Sequence, residues 1–306
     1  MRKFNLILSQ SEKGGCGKTT ILQACHAALI SGGAKILVVD ADDGNSGYIR
    51  RSGKEGVVAL PWSTGAEALQ GWLTSHLDDH DTLAIDCGAN IIASDAPVNA
   101  FLGELVIQAS EAGGAVTALA VASTNAPGTG RLARQMGDAY GEYAKVILIQ
   151  NDQDGSGAFS RTLQTLSMPS ARFPQIPAGI QAARMLKVAP LLDVLREPPT
   201  DHSIAMAAYA TSIVTFLKQP AVASLFSDEA LSAIQLLGKK APGPVANVIR
   251  RLSEASDNAL LLNNKIFTAR RSLLIKGSED RNDLEGIGRA ALGWMDAEAI
   301  YAAVTR

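Results

Sequence analysis

The residues Lys13-Gly14-Gly15-Cys16-Gly17-Lys18-Thr19-Thr20 have the types and spacing to do chemistry in this 306-residue chain. Glycines let a backbone curl until successive N–H groups point inward, a geometry that cradles phosphate oxygens. Lys18 is placed to reach the β- and γ-phosphates of a nucleotide, and the Thr19 hydroxyl to ligate magnesium. Carboxylates complete such a site. Asp40-Ala41-Asp42-Asp43 follows the apolar run Ile36–Val39, and Asp86 closes the run Thr82–Ile85. Acids at the carboxyl ends of parallel strands are where magnesium and attacking water are handled. An apolar strand closed by one aspartate is the pattern that holds magnesium through water, and Asp86 fits it.

Those residues need strand ends brought together beside a helix N-terminus. Phe4–Leu8 is the apolar run before the loop, and a helical pattern follows over Thr19–Ser31. Ile21, Leu22, Cys25 and Leu29 form its buried stripe, and Gly32-Gly33 stops it. Ile36–Val39 reads as a central strand buried on both faces. Tyr48, Arg50 and Arg51 are expected in a loop near the nucleotide. Val57–Leu60 reads as a short strand, and Ala66–Leu77 as a helix with Leu69, Trp72 and Leu73 inward. Further strands are expected at Ala115–Val121, Val146–Gln150 and Arg172–Pro177, with helices at Pro97–Ala112, Gly128–Tyr140 and Ser203–Leu217. Strand–helix alternation to about residue 190 predicts an α/β fold with a doubly wound, mainly parallel sheet.

Composition narrows the classes. At 47% hydrophobic and 19% charged, with a net charge of −2, the chain is not a polyanion binder by bulk charge. Cys16, Cys25 and Cys87 are too few and too ill-spaced for a disulfide framework or a zinc site, so a reduced, cytoplasmic setting is expected. Met1-Arg2-Lys3 leads directly into the first apolar run, and no signal peptide is expected. No uninterrupted apolar run approaches the ~20 residues of a membrane-spanning helix.

The loop departs from the usual pattern and carries a second lysine, Lys13, at its start. With that second lysine it resembles the deviant phosphate loop of MinD/ParA-type ATPases. The resemblance covers about residues 1–218. It implies ATP and Mg2+ as ligands, bound through Gly14, Gly15, Cys16, Gly17, Lys18, Thr19 and Thr20. It implies a homodimer formed with ATP, in which Lys13 reaches the partner's phosphates, and slow, dimer-dependent hydrolysis. Asp40 and Asp42 match the family's second acidic motif, one of them orienting the water, with Asp40 also a candidate magnesium ligand beside Thr19 and Asp86. Asn151 matches the family's adenine-contacting asparagine, and Arg172–Pro177 its last strand, with Pro177 in the loop over the base. A guanine reader would have Asn-Lys-x-Asp, whereas this chain has Asn151-Asp152-Gln153-Asp154. ATP is therefore favoured.

The Asp86-to-Ala89 turn and the later Gly113-Gly114-Ala115-Val116 are similar to plasmid-encoded members of the StbB and TraL kind, which act in plasmid stability and conjugative transfer. The expected division is an ATPase domain over 1–219 and a helical C-terminal region over 220–306. Between Lys239 and Lys276 there are eight bases (Lys239, Lys240, Arg250, Arg251, Lys265, Arg270, Arg271, Lys276) against two acids, Glu254 and Asp257. This local excess suggests a sequence-independent DNA contact, or solvated faces paired with the acids after Gly277. A plasmid-encoded protein partner is also expected. Two other readings compete. A membrane-cycling, MinD-like positioning ATPase needs a terminal amphipathic helix, and Asp283, Glu285, Asp296 and Glu298 would oppose anionic lipid. A nucleotide-dependent adaptor with little hydrolysis would not need Asp40, Asp42 and Asp86.

Overall fold

The computed structural model describes residues 4–239, apart from residue 78 and the stretches 125–129, 160–162, 164–165, 177–179, 181–186 and 199–202. Expectations for Pro177 and for Lys240, Arg250, Arg251, Lys265, Arg270, Arg271 and Lys276 fall outside those residues. Seven strands are described: β1 (Asn5–Gln10), β2 (Ile36–Ala41), β3 (Val57–Ala59), β4 (Thr82–Cys87), β5 (Ala115–Ser123), β6 (Lys145–Asn151) and β7 (Ser170–Phe173). They form one sheet in the order β3-β2-β4-β1-β5-β6-β7. Every pairing is parallel. With crossover helices between its strands this is a doubly wound α/β fold.

The strand sequences account for their places. β1, β4 and β5 are almost continuous apolar runs, which suits strands covered on both faces. β3 and β7, with 3 and 4 residues, are the short edges that limit unwanted strand pairing. The register aligns the chemistry. Ser9 of β1 pairs with Asp86 of β4, and Asp86 pairs with Asp40 of β2, so three polar residues form one row across adjacent strands.

Helices α1 (Lys18–Ser31), α2 (Gly47–Ser52), α3 (Leu69–His76), α4 (Pro97–Glu111) and α5 (Gly130–Tyr140) connect these strands. Beyond β7 lie α6 (Leu191–Arg196), α7 (Ser203–Leu217), α8 (Pro220–Ala223) and α9 (Asp228–Lys239). α1 is buried well beyond the expected stripe, with Gln23, Ala24, Ala27 and Ala28 also enclosed. Tyr48, Arg50 and Arg51 lie in α2 and not in a loop. The cause is distant in sequence: the Asp40 carboxylate accepts from the Tyr48 and Ile49 N–H groups, each at 3.0 Å, and so caps a short helix whose own residues give no start signal. The helix expected over Ala66–Leu77 begins as a 3₁₀ turn, Ala66–Ala68, before α3.

The chain divides into two compact units. The first comprises Met1–Gln175, Val188–Leu192 and Ser212–Ile234 and holds the whole sheet. Phe101 on α4 is fully buried in its core, with the Trp72 ring edge-on at 5.7 Å. Phe173 and Phe216 meet edge-on at 4.9 Å at the β7 side. In the second unit the described residues include 193–196 and 203–211, both helical, with Met206, Tyr209 and Ala210 buried. Among the described residues, no helix is long and apolar enough to cross a membrane.

Replacing Phe101 by Ala removes a ring at 0% exposure. Urea unfolding should register a loss of about 3–5 kcal/mol, the range for buried aromatic truncation. A loss below about 1 kcal/mol would mean the surrounding α3–α4 contact closes over the void.

Candidate functional site

The glycine loop joins the carboxyl end of β1 to the N-terminus of α1 and is held in shape from far along the chain. Gly17 has φ +94, a left-handed conformation that side chains resist, and a Cβ there would run into the Asn151 amide. That approach is used: Asn151 Nδ2 donates to the Cys16 carbonyl at 2.7 Å. Gln153 Nε2 donates to the Gly15 carbonyl at 2.6 Å, and the Ser123 hydroxyl in turn donates to Gln153 Oε1. From the loop's own side, Ser11 Oγ donates to the Lys13 carbonyl at 2.7 Å. With carbonyls turned outward onto these donors, the backbone is committed to one shape. No side chain caps α1 and no acid lies in its first turn, so its first N–H groups and partial positive charge are free for an anion.

The acids occupy three different environments. Asp86 is fully buried, and its Oδ2 accepts a 2.6 Å hydrogen bond from Thr19 Oγ1. Its Oδ1 is buried with no hydrogen-bond partner among the described residues. Burial pushes its carboxyl up from 3.8 to about 7, opposed by Lys18 and the Thr19 hydrogen bond and reinforced by Asp40 and Asp42. Asp40 is also buried, but both its oxygens are occupied: Oδ1 accepts from the Asp42 N–H, and Oδ2 from Tyr48 and Ile49. Burial raises its pKa, and those N–H donors pull it back. Asp42 is half-buried, and its Oδ1 accepts from the Asn45 N–H at 3.2 Å.

Thr19 and Asp86 together fit magnesium. Mg2+ takes one or two carboxylates with waters and substrate phosphates and seldom needs an all-protein cage. The orphaned Asp86 Oδ1 beside a hydroxyl and a phosphate loop is such a donor set. No group of three His, Cys, Asp or Glu side chains that could hold a metal by itself occurs among the described residues.

Lys18, Thr19, Asp40, Asp42, Asp86 and Asn151 all lie at the carboxyl edge of the sheet with the loop between them. Lys18 is buried and Lys13 exposed. Several supporting contacts have no local signal in the sequence. Gln153, at the unconstrained position of the guanine reader's Asn-Lys-x-Asp pattern, is a loop anchor, and only its place two residues after Asn151 could have marked it. Arg51 Nη1 donates to Thr20 Oγ1 at 2.7 Å, and Gln23 Nε2 donates to Ser52 Oγ at 2.6 Å. Tyr48 OH meets His26 Nδ1 at 2.6 Å, and burial lowers the His26 pKa to about 4. These contacts fasten α2 to α1. Asp154 accepts from the Ser156 N–H and hydroxyl, and Asp152 from Arg172 and the Gly157 N–H.

No family model matches the chain, and no curated protein matches it. Solved structures are similar at low identity. One is the septum site-determining protein MinD from Pyrococcus horikoshii in complex with Mg-ADP, 17% identical, with 78% of this chain covering 99% of that one at a TM-score of 0.44. Another is a ParA family ATPase from Chlorobium tepidum, 14% identical, with 64% and 94% of the two chains covered and a TM-score of 0.42. A third is the signal recognition particle receptor FtsY from Elizabethkingia anophelis, 15% identical; 56% of this chain spans 58% of the receptor's length at a TM-score of 0.37. Likeness this remote carries no statement about the chemistry of this chain.

Asp86 gives the site a pH signature. Its folded pKa, about 7, is above its ordinary 3.8, so the neutral form is favoured by folding. Its contribution is fully present below the ordinary value and is lost as pH rises through about 7. Asp86→Asn should therefore raise the melting temperature of the metal-free protein at about pH 8 and leave it nearly unchanged at about pH 4. An equal shift at both values would contradict the assignment.

Proposed function

We propose that this chain is a magnesium-dependent ATPase that hydrolyses ATP slowly as an ATP-bound homodimer. The observation that carries the reading is the fully buried Asp86, its one oxygen bonded to Thr19 and the other left unpartnered, beside an anchored glycine loop. The loop N–H groups and the α1 N-terminus bind the phosphates, and Lys18 adds its charge to the β/γ end. Thr19 and Asp86 would hold magnesium, which when bound neutralises charge developing on the β- and γ-oxygens.

The two acids of the β2 turn divide the labour. Asp40 has both oxygens committed to backbone N–H groups, so it positions α2 and the turn. Asp42 is the acid with a share of solvent, and it orients the attacking water. Lys13 is exposed at the loop's start, free to reach a second copy's phosphates. Adenine is preferred over guanine, because the acid a guanine reader would use, Asp154, is taken up by its own turn with Ser156.

For the biological process we propose plasmid maintenance or transfer, with DNA bound through the basic cluster Lys239 to Lys276 and a plasmid-encoded protein as partner. This rests on the local charge and on the Asp86–Ala89 turn.

Three variants test the site. Lys18→Ala should lose ATP binding by at least about 100-fold, since it removes a charge from the most anionic part of the ligand. Lys13→Ala and Asp42→Ala should bind ATP nearly as wild type does yet lose turnover, by about 100-fold or more. Size measurement with ATP should find Asp42→Ala held as a dimer. A wild-type protein that turns over ATP normally as a monomer would end the dimer reading.

A further inference from the structure

Between β3 and α3 the chain crosses the carboxyl ends of β2 and β4, and Trp62 is at the crossing. Its indole Nε1–H donates to the Ala41 carbonyl at 2.8 Å. Its backbone N–H donates to the Asp43 carboxylate at 2.7 Å. Asp42 is therefore bracketed: the residue before it and the residue after it are each tied to Trp62. The Ala41 carbonyl accepts a second bond from the Gly88 N–H at 3.0 Å, in the turn that leaves Asp86. The indole edge that carries Nε1 approaches that same turn so closely that a Cβ at Gly88 would run into the ring at Cζ2, with Cε2 at 3.0 Å and Nε1 at 3.1 Å. Trp62 closes the set through its own carbonyl, which accepts from Val98 N–H in the first turn of α4 at 3.1 Å.

We infer that Trp62 is a positioning residue, fixing the acidic turn that carries Asp42 against the strand end that carries Asp86. It rests on the hydrolytic reading above and deepens it. A tryptophan suits the place for three reasons. Its ring edge at Cζ2 fits against a residue that has no side chain. Its N–H is rigidly held at the edge of that ring. Its own backbone supplies the second bond, so the two contacts on either side of Asp42 move together. Nucleotide contacts of the loop do not pass through Trp62, so losing it should disturb water orientation and spare ATP binding.

Trp62→Phe keeps an aromatic ring at the crossing and removes the Nε1 hydrogen bond and the indole edge that meets Gly88. The expected result is a KM for ATP within about twofold of wild type and a kcat lowered about tenfold, as when a reacting group is displaced slightly. Gly88→Ala presses on the ring from the other side and should lower kcat similarly. In the Trp62→Phe background the same alanine meets a smaller ring, so the double variant should be no slower than either single one. That is the non-additivity expected of groups in contact. Melting temperatures of all three confirm that kcat is compared among folded proteins. Wild-type kcat in Trp62→Phe, or losses that multiply in the double variant, would overturn the inference while wild-type ATP turnover keeps the hydrolytic reading intact. Absence of ATP turnover in the wild type would overturn both.

Discussion

Parallel pairing of β1, β2 and β4 in one register is the constraint on which the rest of the site depends. Side chains alternate along a strand, so a slip of one residue would turn the strand's chemistry to the opposite face. Here the register sets Ser9, Asp86 and Asp40 in one row, with the turn bearing Asp42 and the loop leading to Lys18 and Thr19 beginning within a residue or two beyond. Apolar side chains in the body of those strands hold the register through burial, and the polar residues stand where the burial ends. The Thr19–Asp86 hydrogen bond is possible because two crossovers return to neighbouring strands at the same height.

The cost of this arrangement is concentrated on Asp86. A carboxylate at 0% exposure with one oxygen unpartnered is unfavourable by itself, and its pKa rises accordingly. Asp40, just ahead of the exposed turn Asp43–Asn45, is nearly as buried but avoids this penalty, with three N–H donors around it. The contrast separates an acid built for the fold from one left waiting for a ligand. Strain is kept local too: among the described residues the non-glycine positions with positive φ are Ser46, after the acidic turn of β2, and Asn90, in the turn after β4.

How much was legible from sequence depends on whether a residue acts through its neighbours in the chain or through distant ones. The loop, the three acids and the strand–helix alternation are local patterns, and the sheet and the longer helices follow them closely. α2 was hidden because its cap, Asp40, lies outside the helix, with a turn between them. Asn151 was marked for the base, yet its amide also holds the loop through Cys16; nothing at position 151 announces a partner at position 16. Trp62 gives no local signal for the same reason. It reads as an aromatic in a Pro-Trp-Ser-Thr-Gly turn, and its three tethers go to residues 41, 43 and 98. The division of roles between Asp40 and Asp42 is likewise a matter of which backbone N–H groups fold onto which carboxylate.

The Asn151–Cys16 and Gln153–Gly15 bonds join parts of the chain 135 and 138 residues apart. A ribosome delivers residues in order, so the glycine loop emerges early and waits through the synthesis of five further strands before both anchors exist. Until β6 has left the exit tunnel and paired with β5, the Gly15 and Cys16 carbonyls lack the donors that hold them in this structure. The anchored shape of the loop thus arises late in biosynthesis, after most of the sheet is in place. A nascent or truncated chain that stops before β6 carries the glycine loop and the three acids without the Asn151 and Gln153 donors that hold the loop.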